Sequence, residues 1–178
     1  FNIKGTASNR VSIQGDIPSY SNLSSPNQWG GIWYLPQGNG KIEYADITNA
    51  TVGIRVDSMS LGTNPSLELS QTKIQYCGQS CLIGVTSKIK AINCLFADAG
   101  SYTFLAFLGG DYNFNHCTFG RYYSYSNSQM GHFAITNTYR DDYGKLIKHA
   151  PFILDLSNSI IDGTLDDEIE VDKVTNSP

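Results

Sequence analysis

Charged side chains are scarce in this sequence. Its 178 residues include 12 Lys and Arg against 16 Asp and Glu, which gives a net charge of −4. Such a chain offers no concentrated positive surface for nucleic-acid phosphates or anionic lipids. The composition therefore predicts no nucleic-acid partner and no polybasic membrane contact.

Long apolar runs are missing as well. No stretch of 18 apolar residues occurs, so we predict no transmembrane segment. The chain opens directly on Phe1-Asn-Ile-Lys without a signal peptide. We therefore expect residues 1–178 to form a single domain that has been trimmed from a longer precursor.

The four cysteines suggest no cofactor or metal site. Cys77 and Cys81, in Cys-Gly-Gln-Ser-Cys, would need two further ligands at matching spacing to bind a metal, and none is evident. In an exported protein they could form a short disulfide, although so small a loop is often strained, and two free thiols are the open alternative. We predict that Cys94 and Cys117 are buried free thiols.

One short pattern recurs along the chain: apolar, any, apolar, any, amide or imidazole, small. The copies are Leu67–Ile74, Ile89–Phe96, Tyr112–Phe119, Phe133–Arg140, Leu154–Ile161 and the looser Ile42–Asn49. The second apolar position of each copy falls at Tyr44, Leu69, Ala91, Phe114, Ile135 and Leu156. These positions recur with a period of about 21–25 residues, which indicates stacked structural repeats.

The spacing of two within each copy predicts a short strand with one buried face. Like strands one period apart can pair only in parallel, with the intervening residues as the crossover. A second series, Gly31–Leu35 and Gly53–Val56, keeps the same period, so each coil has at least two strands. We predict an all-β fold, a right-handed parallel β-helix solenoid with about 21–25 residues per coil.

Five polar residues occupy the same position in successive copies of the pattern: Gln71, Asn93, His116, Asn137 and Asn158. Asn side chains at turns commonly bond to nearby backbone, and amides stacked in parallel arrays bond to one another. We interpret these residues as a structural ladder with no catalytic role.

Several motifs resemble one known family. They are Gly5-Thr-Ala, Trp29-Gly-Gly-Ile, Ile42 to Ile54, Asn93-Cys, His116-Cys-Thr-Phe119 and Asn158-Ser-Ile-Ile-Asp-Gly163. They are similar to those of right-handed parallel β-helix proteins of the Bacteroidetes, which share the pectate-lyase-like fold and are mostly exported, often as surface lipoproteins. The resemblance implies an extracellular or outer-membrane-surface location. It identifies a scaffold and no particular reaction.

Aromatic residues supply the candidate ligand-binding site. If Ile32 and Tyr34 point inward, the pleat directs Trp33 outward, and Arg55 stands outward one coil on. A protruding loop carries Tyr122, Tyr123 and Tyr125. Exposed rings can stack on the apolar faces of sugars. This favours a non-catalytic surface module that contacts carbohydrate, unless the tyrosines fold back onto the coil.

Two other functions stay open. A polysaccharide lyase or glycoside hydrolase of the same fold would have its site near Trp33, Arg55, Lys88 and Lys90. Asp141-Asp142 resembles the carboxylate pair of polygalacturonases, but the companion motifs of that family are absent. The third alternative is a structural spacer or adhesin segment without a small ligand.

Overall fold

The computed structural model describes residues 1–16, 25–57, 63–122 and 129–174. These residues form strands and turns, and among them no helix has the length and apolar character needed to cross a membrane. In chain order the strands are β1 (Asn2–Lys4), β2 (Val11–Ile13), β3 (Ile32–Tyr34), β4 (Gly40–Glu43), β5 (Ala45–Thr48), β6 (Val52–Asp57), β7 (Leu67–Ser70), β8 (Lys73–Cys77), β9 (Ser80–Ile92), β10 (Leu95–Ala99), β11 (Tyr102–Asn115), β12 (Thr118–Arg121), β13 (Phe133–Thr136), β14 (Thr138–Arg140), β15 (Leu146–His149), β16 (Phe152–Ser157), β17 (Ile160–Gly163) and β18 (Ile169–Asp172).

Parallel pairing arranges the strands in three rows. Row A contains β1, β4, β7, the second halves of β9 and β11, and β16. Row B contains β2, β5, β8, β10, β12 and β17. Row C contains β3, β6, the first halves of β9 and β11, β13 and β18. The predictions of an all-β chain and of parallel pairing are confirmed.

The register of row A corrects the predicted period. Ile42, Leu69, Ala91, Phe114 and Leu156 pair in that order. The expected period holds only for the two middle steps, from Leu69 to Ala91 and from Ala91 to Phe114. The first step is longer, and the last, from Phe114 to Leu156, is nearly twice as long. The residue of row A that pairs with Leu69 is Ile42, and not Tyr44 as predicted.

Ile135 was also assigned to the wrong row. It pairs with Ala106 and Val171 in row C. The link between Arg121 and Phe133 is longer than the three equivalent links just before it, so β13 falls where the next row A strand was expected. The β14–β15 hairpin, which is antiparallel, then delays β16 further.

The chain turns from row A to row B at residues in the left-handed region of backbone space. Tyr44, Gln71, Asn93, His116 and Asn158 have φ between 50° and 53°. The backbone N–H groups of the first four donate to the next strand of row A, as His116 does to Ser157 at 3.1 Å. Asn adopts this conformation more readily than most residues do, which explains its recurrence at the corner.

This corner contains four of the five predicted ladder residues, and Asn137 is not among them. Asn137 lies between β13 and β14, is 3% exposed, and exchanges hydrogen bonds with the backbone of Val174. The side chains of Asn93, His116 and Asn158 are exposed. The hydrogen bond that repeats from corner to corner is therefore made by the backbone. Among the side chains, the amide of Asn158 donates to the side-chain oxygen of Asn115 at 3.1 Å.

The inward-facing residues of the three rows form one core. They are aliphatic at first, at Ile42, Ile47, Ile54, Leu69, Ile74 and Leu82, and aromatic later, at Phe96, Phe104, Phe114, Phe119 and Phe133. Phe96 and Phe119 stack with ring centroids 4.9 Å apart, and Phe104 meets Phe114 edge-on at 4.8 Å. Burying such a ring contributes about 1.5–3 kcal/mol.

All four cysteines belong to this interior and are free thiols. Cys77 ends β8 and Cys81 lies at the start of β9, and both side chains are fully buried. The short disulfide considered for this pair is not formed. Cys94 and Cys117 stack one row step apart and are 4% and 1% exposed, as predicted for buried thiols.

Candidate ligand-binding face

The outer face of row C has an unusual distribution of side chains. One outward file runs through Trp33, Arg55, Ile83, Leu105, Ala134 and Glu170. The second runs through Asp57, Val85, Phe107, Thr136 and Asp172. Five steps between neighbouring strands give the face a length of about 24 Å. It is polar at both ends and apolar in the middle.

Trp33, Arg55 and Asp57 form a cluster at one end of this face. Trp33 is 59% exposed. Its indole N–H donates to Asp57 Oδ2 at 2.9 Å, and Arg55 Nε donates to Asp57 Oδ1 at 2.8 Å. The Arg55 guanidinium lies 5.0 Å from the centre of the indole, a distance suited to a cation–π contact. One carboxylate therefore fixes both an exposed ring and the cation beside it.

The middle of the face is an apolar strip. Its outward positions are Ile83, Val85, Leu105, Phe107 and Ala134. An outward strand face is usually polar, and a continuous apolar patch commonly marks a binding surface. Ile83 and Ala134 are only 8% and 5% exposed. Arg55 and Asp57 of β6 lie between Trp33 and the strip, so the strip is a partly covered apolar floor beyond the Trp33 cluster.

A groove lies over the far end of the strip, beside the β14–β15 hairpin. It has a volume of about 260 Å³ and a floor of Leu105, Phe107 and Ala134. Tyr139 of β14 meets Phe107 with ring centroids 6.1 Å apart and nearly perpendicular planes. The hairpin contributes two polar residues of β14, Thr138 and Arg140, to the lining of the groove.

Two carboxylates of β18 line the groove. Asp172 Oδ2 accepts hydrogen bonds from Thr138 Oγ1 at 2.9 Å and from Thr136 Oγ1 at 3.3 Å. Glu170 Oε2 is buried and has no hydrogen-bond partner among the described residues. Burial and the nearby Glu170 raise the pKa of Tyr102, which also lines the groove.

Tyr122, the one described residue of the predicted tyrosine site, is not on this face. Tyr122 follows β12 in row B, is 59% exposed, and its hydroxyl donates to Asp162. That hydrogen bond raises the pKa of the Tyr122 hydroxyl. Tyr123 and Tyr125 lie outside the described residues.

The structure separates the four residues of the alternative enzyme site. Trp33 and Arg55 are in row C, whereas Lys88 and Lys90 lie beyond the corner at Thr86, in the half of β9 that belongs to row A. Lys88 pairs with Asp111 at 3.0 Å. Asp141 is also accounted for, because its carboxylate accepts the backbone N–H groups of Tyr143 and Lys145 in the hairpin turn.

A buried polar cluster was not foreseen from the sequence. His132 Nδ1 lies 2.6 Å from Thr103 Oγ1, and His132 Nε2 lies 3.1 Å from the Asp162 carbonyl and 3.3 Å from Glu168 Oε2. Burial lowers the pKa of His132, against the raising effect of Glu168. Thr103 and His132 have no exposed surface, so this hydroxyl–imidazole–carboxylate set cannot reach a substrate.

Within residues 1–16, 25–57, 63–122 and 129–174, no group of three or more His, Cys, Asp and Glu side chains is arranged to hold a metal ion.

The sequence did not predict the roles of Asp57, Phe107, Tyr139 and Glu170. Residues two apart on a strand face the same side, so Asp57 could have been placed on the face from the position of Arg55. No signal in the sequence indicated that the hairpin lies beside this face.

No protein-family model, curated protein or solved structure matches this chain.

Proposed function

We propose that this chain is a right-handed parallel β-helix that acts as a non-catalytic, exported surface module and binds carbohydrate along the outer face of row C. The fixed order of rows A, B and C supports the architecture, because each return to a row is a parallel crossover, and such crossovers are almost always right-handed. The resemblance of the motifs supports the family and the export.

One observation carries the binding function: the indole of Trp33 is exposed and is fixed in place by Asp57. A sugar stacks well on an aromatic ring because its C–H face is apolar while its hydroxyl rim stays in water. Fixing the ring in advance lowers the entropy cost of binding. Arg55 lies over one face of the indole, and Trp33 still exposes 59% of its surface to a ligand.

The arrangement of charges favours binding over catalysis. A lyase requires an unengaged base near the reacting sugar, but Arg55 is bonded to Asp57, Lys88 is bonded to Asp111, and Lys90 lies in row A rather than beside Trp33. The lysines also lie in another row. The spacer alternative predicts that no glycan binds, because a spacer needs no ligand and no fixed aromatic side chain.

A glycan array tests the proposal, with the unaltered protein beside Trp33→Ala and Tyr122→Ala. These two aromatic residues are equally exposed, at 59%, and lie in different rows, so they form a matched pair. We expect retention of at least one glycan, its loss in Trp33→Ala, its persistence in Tyr122→Ala, and melting temperatures close to that of the unaltered protein.

Other outcomes would identify the alternatives. No retention on any glycan would favour a spacer, and loss in Tyr122→Ala alone would move the site to row B. Incubating retained polysaccharides with the protein, followed by ultraviolet detection of unsaturated products and a reducing-sugar assay, would reveal a lyase or a hydrolase. Unfolding of Trp33→Ala would show that the indole is part of the structure.

A further inference from the structure

The groove beside the hairpin has the size of a site for a single ring. Pockets for drug-sized ligands usually measure roughly 300–1,000 Å³. The groove is slightly smaller, at about 260 Å³, and combines an apolar floor with polar walls. A pyranose has matching surfaces, since its ring face is apolar and its edge is polar.

The two carboxylates in the groove differ in the number of hydrogen bonds that they accept. Asp172 Oδ2 already accepts bonds from two threonine hydroxyls and lies 4.0 Å from Arg140 Nε. Glu170 Oε2 is buried without a hydrogen-bond partner in the described part of the chain, which is a costly state for a carboxylate oxygen. Glu170 also lines the groove, so a rotation of its side chain that turns this oxygen toward the groove would let a ligand donor remove that cost.

The charge in the groove selects the sign of the ligand. Among the described residues that line it, Glu170 and Asp172 face a single cation, Arg140. The Arg140 guanidinium is shared between Asp172 and the carbonyl of Gly144 at 3.2 Å. Within this lining, the carboxylates outnumber the cations by one. A uronic acid would be repelled, whereas an ammonium group would supply both the missing charge and the missing hydrogen-bond donor.

We propose that this groove binds an amino-sugar unit with a free ammonium group, which donates to Glu170 while the sugar ring lies over Leu105 and Phe107. This inference rests on the proposed carbohydrate binding and names its substrate class. Trp33 then holds another part of the same glycan, about four strand steps away along row C.

Binding of three oligosaccharides, measured by calorimetry, tests the inference: glucosamine oligomers, their fully N-acetylated counterparts and oligogalacturonates. Acetylation removes the ammonium charge and leaves the ring unchanged. We expect the glucosamine oligomers to bind roughly three- to tenfold more tightly than the acetylated ones, and the oligogalacturonates to bind most weakly. The preference should shrink as the salt concentration rises.

Two variants assign the preference to the groove. Glu170→Gln should abolish the difference between free and acetylated oligomers, while Glu68→Gln, the same chemical change on the outer face of row A, should leave it intact. Equal binding of both oligomers by the unaltered protein, or an unchanged preference in Glu170→Gln, would overturn the amino-sugar assignment. Absence of binding to all three oligomers and to the array would instead reject carbohydrate binding as a whole.

Discussion

The carboxylate of Asp57 accepts the indole N–H of Trp33 at 2.9 Å across the pair of strands β3 and β6. The same carboxylate holds Arg55 at 2.8 Å, so two side chains from two strands share one anchor. Asp57 is itself well covered, with 15% of its side chain exposed, whereas the ring that it holds projects into solvent. The orientation of Trp33 therefore depends on a residue that no ligand needs to touch.

Replacing Asp57 with Ala should weaken glycan retention with little loss of stability, because Trp33 and Arg55 would no longer be held in place. Arg55 and Trp33 are exposed enough to be hydrated once Asp57 is removed, and surface ion pairs contribute about 0.2–1 kcal/mol, so the free energy of unfolding should fall by about that amount. Lys41→Ala, which breaks the exposed Lys41–Glu43 pair on row A, is the control. Retention that survives Asp57→Ala would show that a mobile indole binds equally well.

Phe104 is the residue whose truncation should cost most stability. It is fully buried and its ring meets those of Tyr112, Phe114, Phe119 and Phe133. We expect Phe104→Ala to lower the free energy of unfolding in urea by about 3–5 kcal/mol, and Phe104→Leu to lower it less. Ile160→Ala, at a position 59% exposed, should change it by no more than about 0.5 kcal/mol. A similar cost for Phe104→Ala and Ile160→Ala would contradict the packing described for this core.

The corner at His116 makes a prediction about backbone conformation. A β-branched residue tolerates a φ of 53° poorly, so His116→Val should lower the free energy of unfolding by about 1–2 kcal/mol. Glycine adopts this conformation without strain, and His116→Gly should be as stable as the unaltered protein or more so. Lys73→Val, at an exposed strand position, controls for the effect of valine itself. Urea titrations of the three variants measure the ranking, and equal stability of His116→Val and His116→Gly would refute it.

Burial of His132 should make the fold less stable in mild acid. Burial and Arg121 lower the pKa of His132, while Glu168 and Asp162 only partly offset them, so the folded protein binds this proton less readily than the unfolded chain. Neutral His132 therefore stabilises the folded state. This contribution is complete above the unfolded pKa of about 6.5 and is lost as the pH falls toward the lower pKa of the folded state.

His132→Gln isolates that effect, since glutamine offers a donor and an acceptor but does not titrate in this range. Free energies of unfolding at pH 7.5 and 5.5 should differ more for the unaltered protein than for the variant. An identical decline in both would assign the acid sensitivity to the carboxylates.

The strands themselves were predictable because alternation requires only the local sequence. The pattern at Leu67 and Leu69 defines a strand with one buried face, and the register places both residues in the core. The parity argument also placed Trp33 outward and beside Arg55, as the structure has them. Local periodicity thus determines which face a side chain occupies.

The row to which a strand belongs was harder to predict, because it depends on every link that precedes it. Phe133 to Asn137 repeats the apolar alternation and the amide of row A, yet the chain reaches it from row B and places it in row C. The groove was hidden for a related reason: Arg140 and Glu170 are distant in the sequence and line the same groove only because the hairpin and β18 are both adjacent to its floor. Such proximity is a property of the completed stack.

The row registers also constrain how the chain can fold. Every row pairing in the described residues joins partners separated by at least one full circuit of the rows, and the β14–β15 hairpin is the local exception among the paired strands. A nascent segment shorter than one circuit has no row partner, and loop closure must be completed before any row bond forms. The smallest unit able to nucleate this protein is therefore a pair of adjacent turns of chain, and a ribosome-bound fragment containing only one should remain unstructured.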